Sequence, residues 1–260
     1  MASYSSIEWT DSTWNPVTGC TKVSPGCKNC YAEIFAERFR GVPRHPFEQG
    51  FDFKLWPNRL RLPVMWKESR MVFVNSMSDL FHEKVPDNFI KEVFNTMIEA
   101  DHHIFQVLTK RSERMMEWIQ EQFAKDIVPA HIWLGVSVEN QDYVDRIKDL
   151  KDTPAYVRFV SCEPLLGPLK LISRDLDSIQ WVIVGGESGH KARAMNPQWA
   201  RDIKELCRDS DVAFFFKQWG TFNDLGERVG KKRAGRLLDG KMWDQMPKAE
   251  YFQKQQLEYV

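Results

Sequence analysis

The strongest constraint on this chain is a theme repeated six times: a short apolar, β-branched run, a compact polar motif, then a helical pattern. The runs are Met71–Asn75, His103–Leu108, Ile132–Val136, Tyr156–Val160, Trp181–Val184 and Val212–Phe216, and their starts fall 24 to 32 residues apart. That is the length of a strand–helix unit. Continuous rather than alternating apolar runs suit strands covered on both faces. Helical periodicity fills the gaps. Pro86–Ile98 puts Phe89, Ile90, Val93, Phe94 and Met97 on one face, and Ser112–Gln122 has Ser112 as a candidate cap. Gln141–Leu150 spaces Tyr143, Val144, Ile147 and Leu150 for a helix, and Asn196-Pro197 opens another over Gln198–Arg208. The prediction is an α/β fold, a partial (β/α) barrel of about six to seven parallel strands.

The chain has 260 residues, 43% hydrophobic and 28% charged, enough for one domain with a sizeable core. Its expected organisation is 1–38 as a cysteine loop and first helix, 39–70 as an insertion, 71–219 as the repeats, and 220–260 as a basic loop with a hairpin at Asp239-Gly240. Lys+Arg and Asp+Glu both total 36, so a globally basic nucleic-acid binder is not indicated. No apolar stretch is long enough to span a bilayer and no signal peptide is visible, so the expectation is a cytoplasmic protein with no membrane partner.

Each apolar run ends in polar residues. In order these are Asn75-Ser76-Met77-Ser78-Asp79, Thr109-Lys110-Arg111, Ser137-Val138-Glu139-Asn140, Ser161-Cys162-Glu163-Pro164, Gly185–His190 and Lys217-Gln218-Trp219-Gly220. One such motif alone reads as a cap or a turn. Six together converge on one face of a parallel barrel, where active sites sit.

Three of five cysteines lie within eleven residues, as Cys20-x6-Cys27-x2-Cys30. Thiolates suit zinc or iron–sulfur. A structural zinc site needs four ligands; His45 and His82 are available, but nothing in the spacing selects either. Three thiolates leave one iron of a four-iron cluster open for chemistry. An odd cysteine count argues against a disulfide framework.

The segment Asn15-Pro16-Val17-Thr18-Gly19-Cys20, followed by Cys27-Lys28-Asn29-Cys30-Tyr31-Ala32, resembles the cluster loop of radical S-adenosylmethionine enzymes, closest to the spore photoproduct lyase-like branch. The whole chain also resembles a phage-associated family of three-cysteine-motif proteins of poorly defined function. Cys20 and Cys27 enclose six residues here, where the common spacing is three.

The resemblance implies a radical-enzyme-like barrel with Cys20, Cys27 and Cys30 as metal ligands to a [4Fe–4S] cluster. It implies S-adenosyl-L-methionine as second cofactor, cleaved after one-electron reduction to a 5′-deoxyadenosyl radical, and a reductant such as flavodoxin or ferredoxin as partner. By strand order, Ser76, Ser78 and Asp79 are candidates for the methionine amino end, and Ser137, Glu139 and Glu163 for the ribose or carboxylate. Lys110, Glu187 and Lys217 are candidates for substrate contact. Cys162 reads either as core or as a hydrogen-atom donor facing into the barrel. Kinship with a pyrimidine-dimer repair branch makes a nucleic-acid base a plausible substrate. The alternative is a non-enzymatic iron–sulfur or zinc protein that meets nucleic acid or a protein through Arg38, Arg40, Arg44, Arg59, Arg61, Lys231, Lys232, Arg233 and Arg236.

Overall fold

The computed structural model describes residues 5–124 and 126–248. Seven parallel strands form a sheet that curls into a half-barrel: β1 (Ser12–Trp14), β4 (Met71–Val74), β5 (Ile104–Thr109), β6 (Ile132–Ser137), β7 (Arg158–Cys162), β8 (Trp181–Gly185) and β9 (Ala213–Gln218). They lie side by side in chain order. Among the described residues six α-helices accompany them: α1 (Tyr31–Glu37), α2 (Asp87–Glu99), α3 (Ser112–Gln122), α4 (Asp145–Asp152), α5 (Pro197–Asp209) and the single-turn α6 (Lys231–Ala234). A two-stranded antiparallel pair, β2 (Val17–Thr18) with β3 (Lys54–Leu55), joins the cysteine loop to the 39–70 insertion. Among the described residues, no helix is long and apolar enough to cross a membrane.

The six predicted strands appear within two residues of their expected starts. The seventh, β1, precedes the cysteines and pairs with β4 through Ser12↔Val72, Thr13↔Phe73 and Trp14↔Val74. Asn196 caps α5 by accepting from Gln198 N at 2.9 Å. Ser112 is not the cap expected of it. It is the first helical residue of α3, and its Oγ donates to Asp149 Oδ2 at 2.6 Å. Asp239 and Gly240, at φ 54° and 73°, make the hairpin turn predicted for them, closed by two bonds between Leu238 and Lys241. Residues 249–260 of that C-terminal segment lie outside the described residues.

The strand period of two splits the core into two layers. Val72, Val74, Phe105, Val107, Leu134, Val160, Val182 and Phe214 face the helices, packed with Val93, Met97, Ile119, Leu150 and Ile203. Phe73, Trp133, Phe159, Trp181, Ile183 and Phe215 face the concave side, joined there by Trp9 from the N-terminal segment. Gly135 makes this inner layer possible: a Cβ there would sit 2.5 Å from the Phe159 ring. Each fully buried aromatic is worth roughly 1.5–3 kcal/mol over exposure. The aromatic floor closes one end of the half-barrel, so open space remains at the carboxyl ends of the strands.

Candidate functional site

A cavity of about 430 Å³ opens there, a size ordinary for a small-molecule site. Its walls carry Cys20, Cys27 and Cys30 together with polar residues from the ends of β4 to β9. The thiols are partly exposed, and the loop bearing them is pinned to three alternate strand ends.

The first pin follows β4. Asp79, 5% exposed, accepts from Thr109 Oγ1 (2.7 Å), Phe81 N (3.0 Å), Lys110 N (3.1 Å) and Arg111 Nη1 (3.1 Å). Arg111 in turn reaches Cys20 Sγ at 3.5 Å and Thr21 Oγ1 at 2.8 Å. The second follows β6. Glu139 is fully buried, accepting from Ser24 Oγ (2.6 Å) and Arg146 Nη1 (3.0 Å). Gly26 permits this approach, since a Cβ there would meet Glu139 Oε1 at 2.4 Å. The third follows β8. Glu187 is held by the Arg193 fork (2.8 and 2.6 Å) and by Asn29 Nδ2 (3.2 Å), and Arg193 Nη2 also donates to Pro25 O at 3.0 Å. Burial pushes the Glu187 carboxyl upward, but the hydrogen bonds from Arg193 and Asn29 prevail and hold it below the usual carboxylate range.

Burial pushes the Cys20 thiol up to about 11; Asp79 adds to the rise and Arg111 opposes it. Cys30 is raised as well, chiefly by burial. Among the described residues, no three His, Cys, Asp or Glu side chains form a group able to hold a single metal ion. His45 stacks on Phe39 at 3.8 Å, while His82 bonds Thr21 Oγ1 at 3.0 Å and stacks on Phe53.

The family model described as "Protein of unknown function (DUF5131)" matches residues 4–247. The chain belongs to the DUF5131 family. No curated protein matches it. Among solved structures it is similar to a spore photoproduct lyase complexed with dinucleoside spore photoproduct, with 10% identity and a TM-score of 0.48 over 82% of this chain and 65% of that one. It is also similar to a cysteine-to-serine mutant of spore photoproduct lyase, with 9% identity and a TM-score of 0.47 over 81% and 75%. This DUF5131 member thus spans less than two thirds of the first of these chains.

In this DUF5131 chain the residues singled out by strand order divide into two groups. Asp79, Glu139 and Glu187 are engaged in holding the loop. Ser78 Oγ donates to Val17 O at 2.8 Å and Ser76 Oγ to Asn15 Oδ1 at 3.3 Å, so both brace the loop's approach. Ser137, Glu163, Lys110 and Lys217 line the cavity around fewer internal bonds. Lys217 Nζ pairs with Glu163 Oε1 at 2.9 Å, and Lys110 Nζ reaches Ser137 Oγ at 3.1 Å.

Cys162 is not where a hydrogen-atom donor would stand. It is fully buried in the helix-side core layer with Cys207, one residue out of phase with Ser161, which does line the cavity. Three of the insertion's arginines are also engaged: Arg40 with Glu37 and Asp52, Arg59 over the Trp56 ring, and Arg61 with Glu99. Arg111, Arg193, Asn29 and Ser24 tie the loop to the strand ends; the sequence places Arg111 at a strand end and Asn29 in the cysteine segment but gives none of the four a role. Asn75 and Gln218, named in the strand-end motifs without a role, line the cavity nearly fully buried, with Asn75 Nδ2 and Gln218 Oε1 lacking a partner among the described residues.

Proposed function

We propose that this chain holds a [4Fe–4S] cluster through Cys20, Cys27 and Cys30, and reductively cleaves S-adenosyl-L-methionine bound in the adjoining cavity. One observation carries the reading: three thiols on a pinned loop share a single cavity with the polar ends of six strands. The donor set fits a cluster, in which each thiolate takes its own iron, better than a lone ion that would draw all ligands to one point. When bound, the two groups supply an electron and a 5′-deoxyadenosyl radical; the protein supplies the rest.

The aromatic floor excludes water from below. The Glu163–Lys217 pair offers a carboxylate and an ammonium for the charged ends of a cofactor or substrate. Ser137 and Lys110 add a hydroxyl and a second cation. Asn75 Nδ2 and Gln218 Oε1 await polar atoms of a ligand, since buried groups without partners are costly.

The finer proposal is a nucleic-acid base as substrate. It is supported by a cationic lip on the β8–β9 side of the mouth. Asn29 Nδ2 bonds Lys191 O at 2.9 Å and Arg228 Nη2 bonds Ala192 O at 3.3 Å, which puts Lys28, Lys191 and Arg228 on adjoining segments, while Lys231 on the cavity wall pairs with Glu8 at 3.1 Å. Binding of single-stranded nucleic acid that weakens steeply with salt is the expected result. The partial exposure of the thiols suits delivery of an electron by a small reductant such as flavodoxin or ferredoxin.

The test is anaerobic reconstitution with iron and sulfide, reduction with dithionite, and an assay for 5′-deoxyadenosine. Its formation is the expected result. A fully loaded protein that yields none contradicts the enzymatic reading and leaves a cluster protein that binds nucleic acid or a partner.

A further inference from the structure

We infer that Arg111 tunes the reduction potential of a cluster held by Cys20, by donating a charged hydrogen bond to the ligand sulfur. The inference rests on the cluster reading above and concerns this chain's own residues around it.

Of the three pins, the one through Arg111 alone brings a charged donor to a cysteine sulfur among the described residues. Its Nη1 lies 3.5 Å from Cys20 Sγ. The pin through Glu139 ends on the Ser24 hydroxyl, and that through Glu187 ends on the Asn29 amide and, by way of Arg193, on the Pro25 carbonyl. Arg111 is also fixed from every side. Nη1 donates to Asp79 at 3.1 Å, Nη2 donates to Thr21 Oγ1 at 2.8 Å and Thr21 O at 3.2 Å, and Nε lies 3.4 Å from Glu83 Oε2. Its side chain is 10% exposed, so its charge is poorly screened.

The sign follows from charge. Uptake of one electron makes a cluster and its thiolates more negative, and a fixed cation donating to one of those sulfurs favours the reduced form. Hydrogen bonds to cluster sulfurs are among the determinants of such potentials. Asp79 and Glu83 oppose the effect, and both stay in place when Arg111 alone is replaced, so the comparison reads the contribution of Arg111 itself. Arg111 is therefore a positioning and tuning residue, not a catalytic one.

The experiment is a dithionite-poised redox titration, followed by electron paramagnetic resonance, on reconstituted full-length chain. It compares wild type with Arg111→Gln, Arg111→Lys and, as control, Arg193→Gln, which loosens a pin that touches no sulfur. The expected result is a lower potential in Arg111→Gln, on the order of tenfold in the one-electron equilibrium or about 59 mV. Arg111→Lys falls by less, because it keeps the charge and loses the fork, and Arg193→Gln does not shift. Equal potentials in wild type and Arg111→Gln, with the cluster intact in both, overturn this inference alone. Where Arg111→Gln does not retain its cluster, an unshifted Arg111→Lys overturns it. A wild-type chain that takes up no iron overturns the cluster reading and this inference with it.

Discussion

The ends of β4, β6 and β8 and the ends of β7 and β9 carry the same kinds of residue, yet they do different work. On the first set, Asp79, Glu139 and Glu187 are buried and saturated by donors from the cysteine loop and its supports. On the second, Glu163 and Lys217 pair with each other on the cavity wall, 14% and 18% exposed. A carboxylate at a barrel mouth is thus not a catalytic residue by position. What separates the two sets is how many protein donors already reach each oxygen.

The comparison breaks most decisively at the thiols. Replacing Cys20, Cys27 and Cys30 with Ala abolishes iron uptake while leaving the far-UV circular dichroism unchanged, because none of the three belongs to the core clusters. Next in size is Asp79→Ala. It takes the buried carboxylate from Arg111 and leaves four donors without their acceptor, for a loss of about 3–5 kcal/mol read by urea unfolding. By contrast, the double variant Glu163→Gln, Lys217→Met removes both partners of a pair. Stability changes by about 1 kcal/mol or less, while binding of S-adenosylmethionine or substrate, read by calorimetry, is lost. If this double variant unfolds like Asp79→Ala, the two sets of strand ends are not distinct. Smaller still is Cys162→Ala, which costs about 1–2 kcal/mol as a cavity in the helix-side layer and leaves the product distribution unchanged.

The smallest effect is one of pH. With its thiol raised to about 11, Cys20 in the cluster-free chain has little thiolate at neutral pH. Its alkylation by iodoacetamide, followed by mass spectrometry, is expected to keep accelerating beyond pH 9, where a free thiol levels off. A rate that levels off at the ordinary thiol value contradicts the burial described here.

How much of this was legible follows from where the signals reside. β4 to β9 announce themselves because both of their faces are covered, which makes their apolar runs continuous. β1 is three residues, Ser12-Thr13-Trp14, whose partner lies 60 residues away, and no local pattern marks it. The convergence of polar strand ends was also legible, since parallel topology alone requires it. Which of them are engaged was not, because the decisive partners join Arg111 to Cys20 across 91 residues and Arg193 to Pro25 across 168. Cys162 shows the limit of reading one position alone. Period two decides the face of a strand residue only once a neighbour's face is known, and Ser161 provides that only in three dimensions.

The central claim is that the pinned loop carries a cluster rather than a single ion or nothing. Iron and acid-labile sulfide analysis of anaerobically reconstituted wild type, beside the triple cysteine variant, tests it most directly. The account predicts about four irons and four sulfides per chain in wild type and none in the variant. Iron without sulfide, zinc in its place, or equal loading of the two proteins would contradict it.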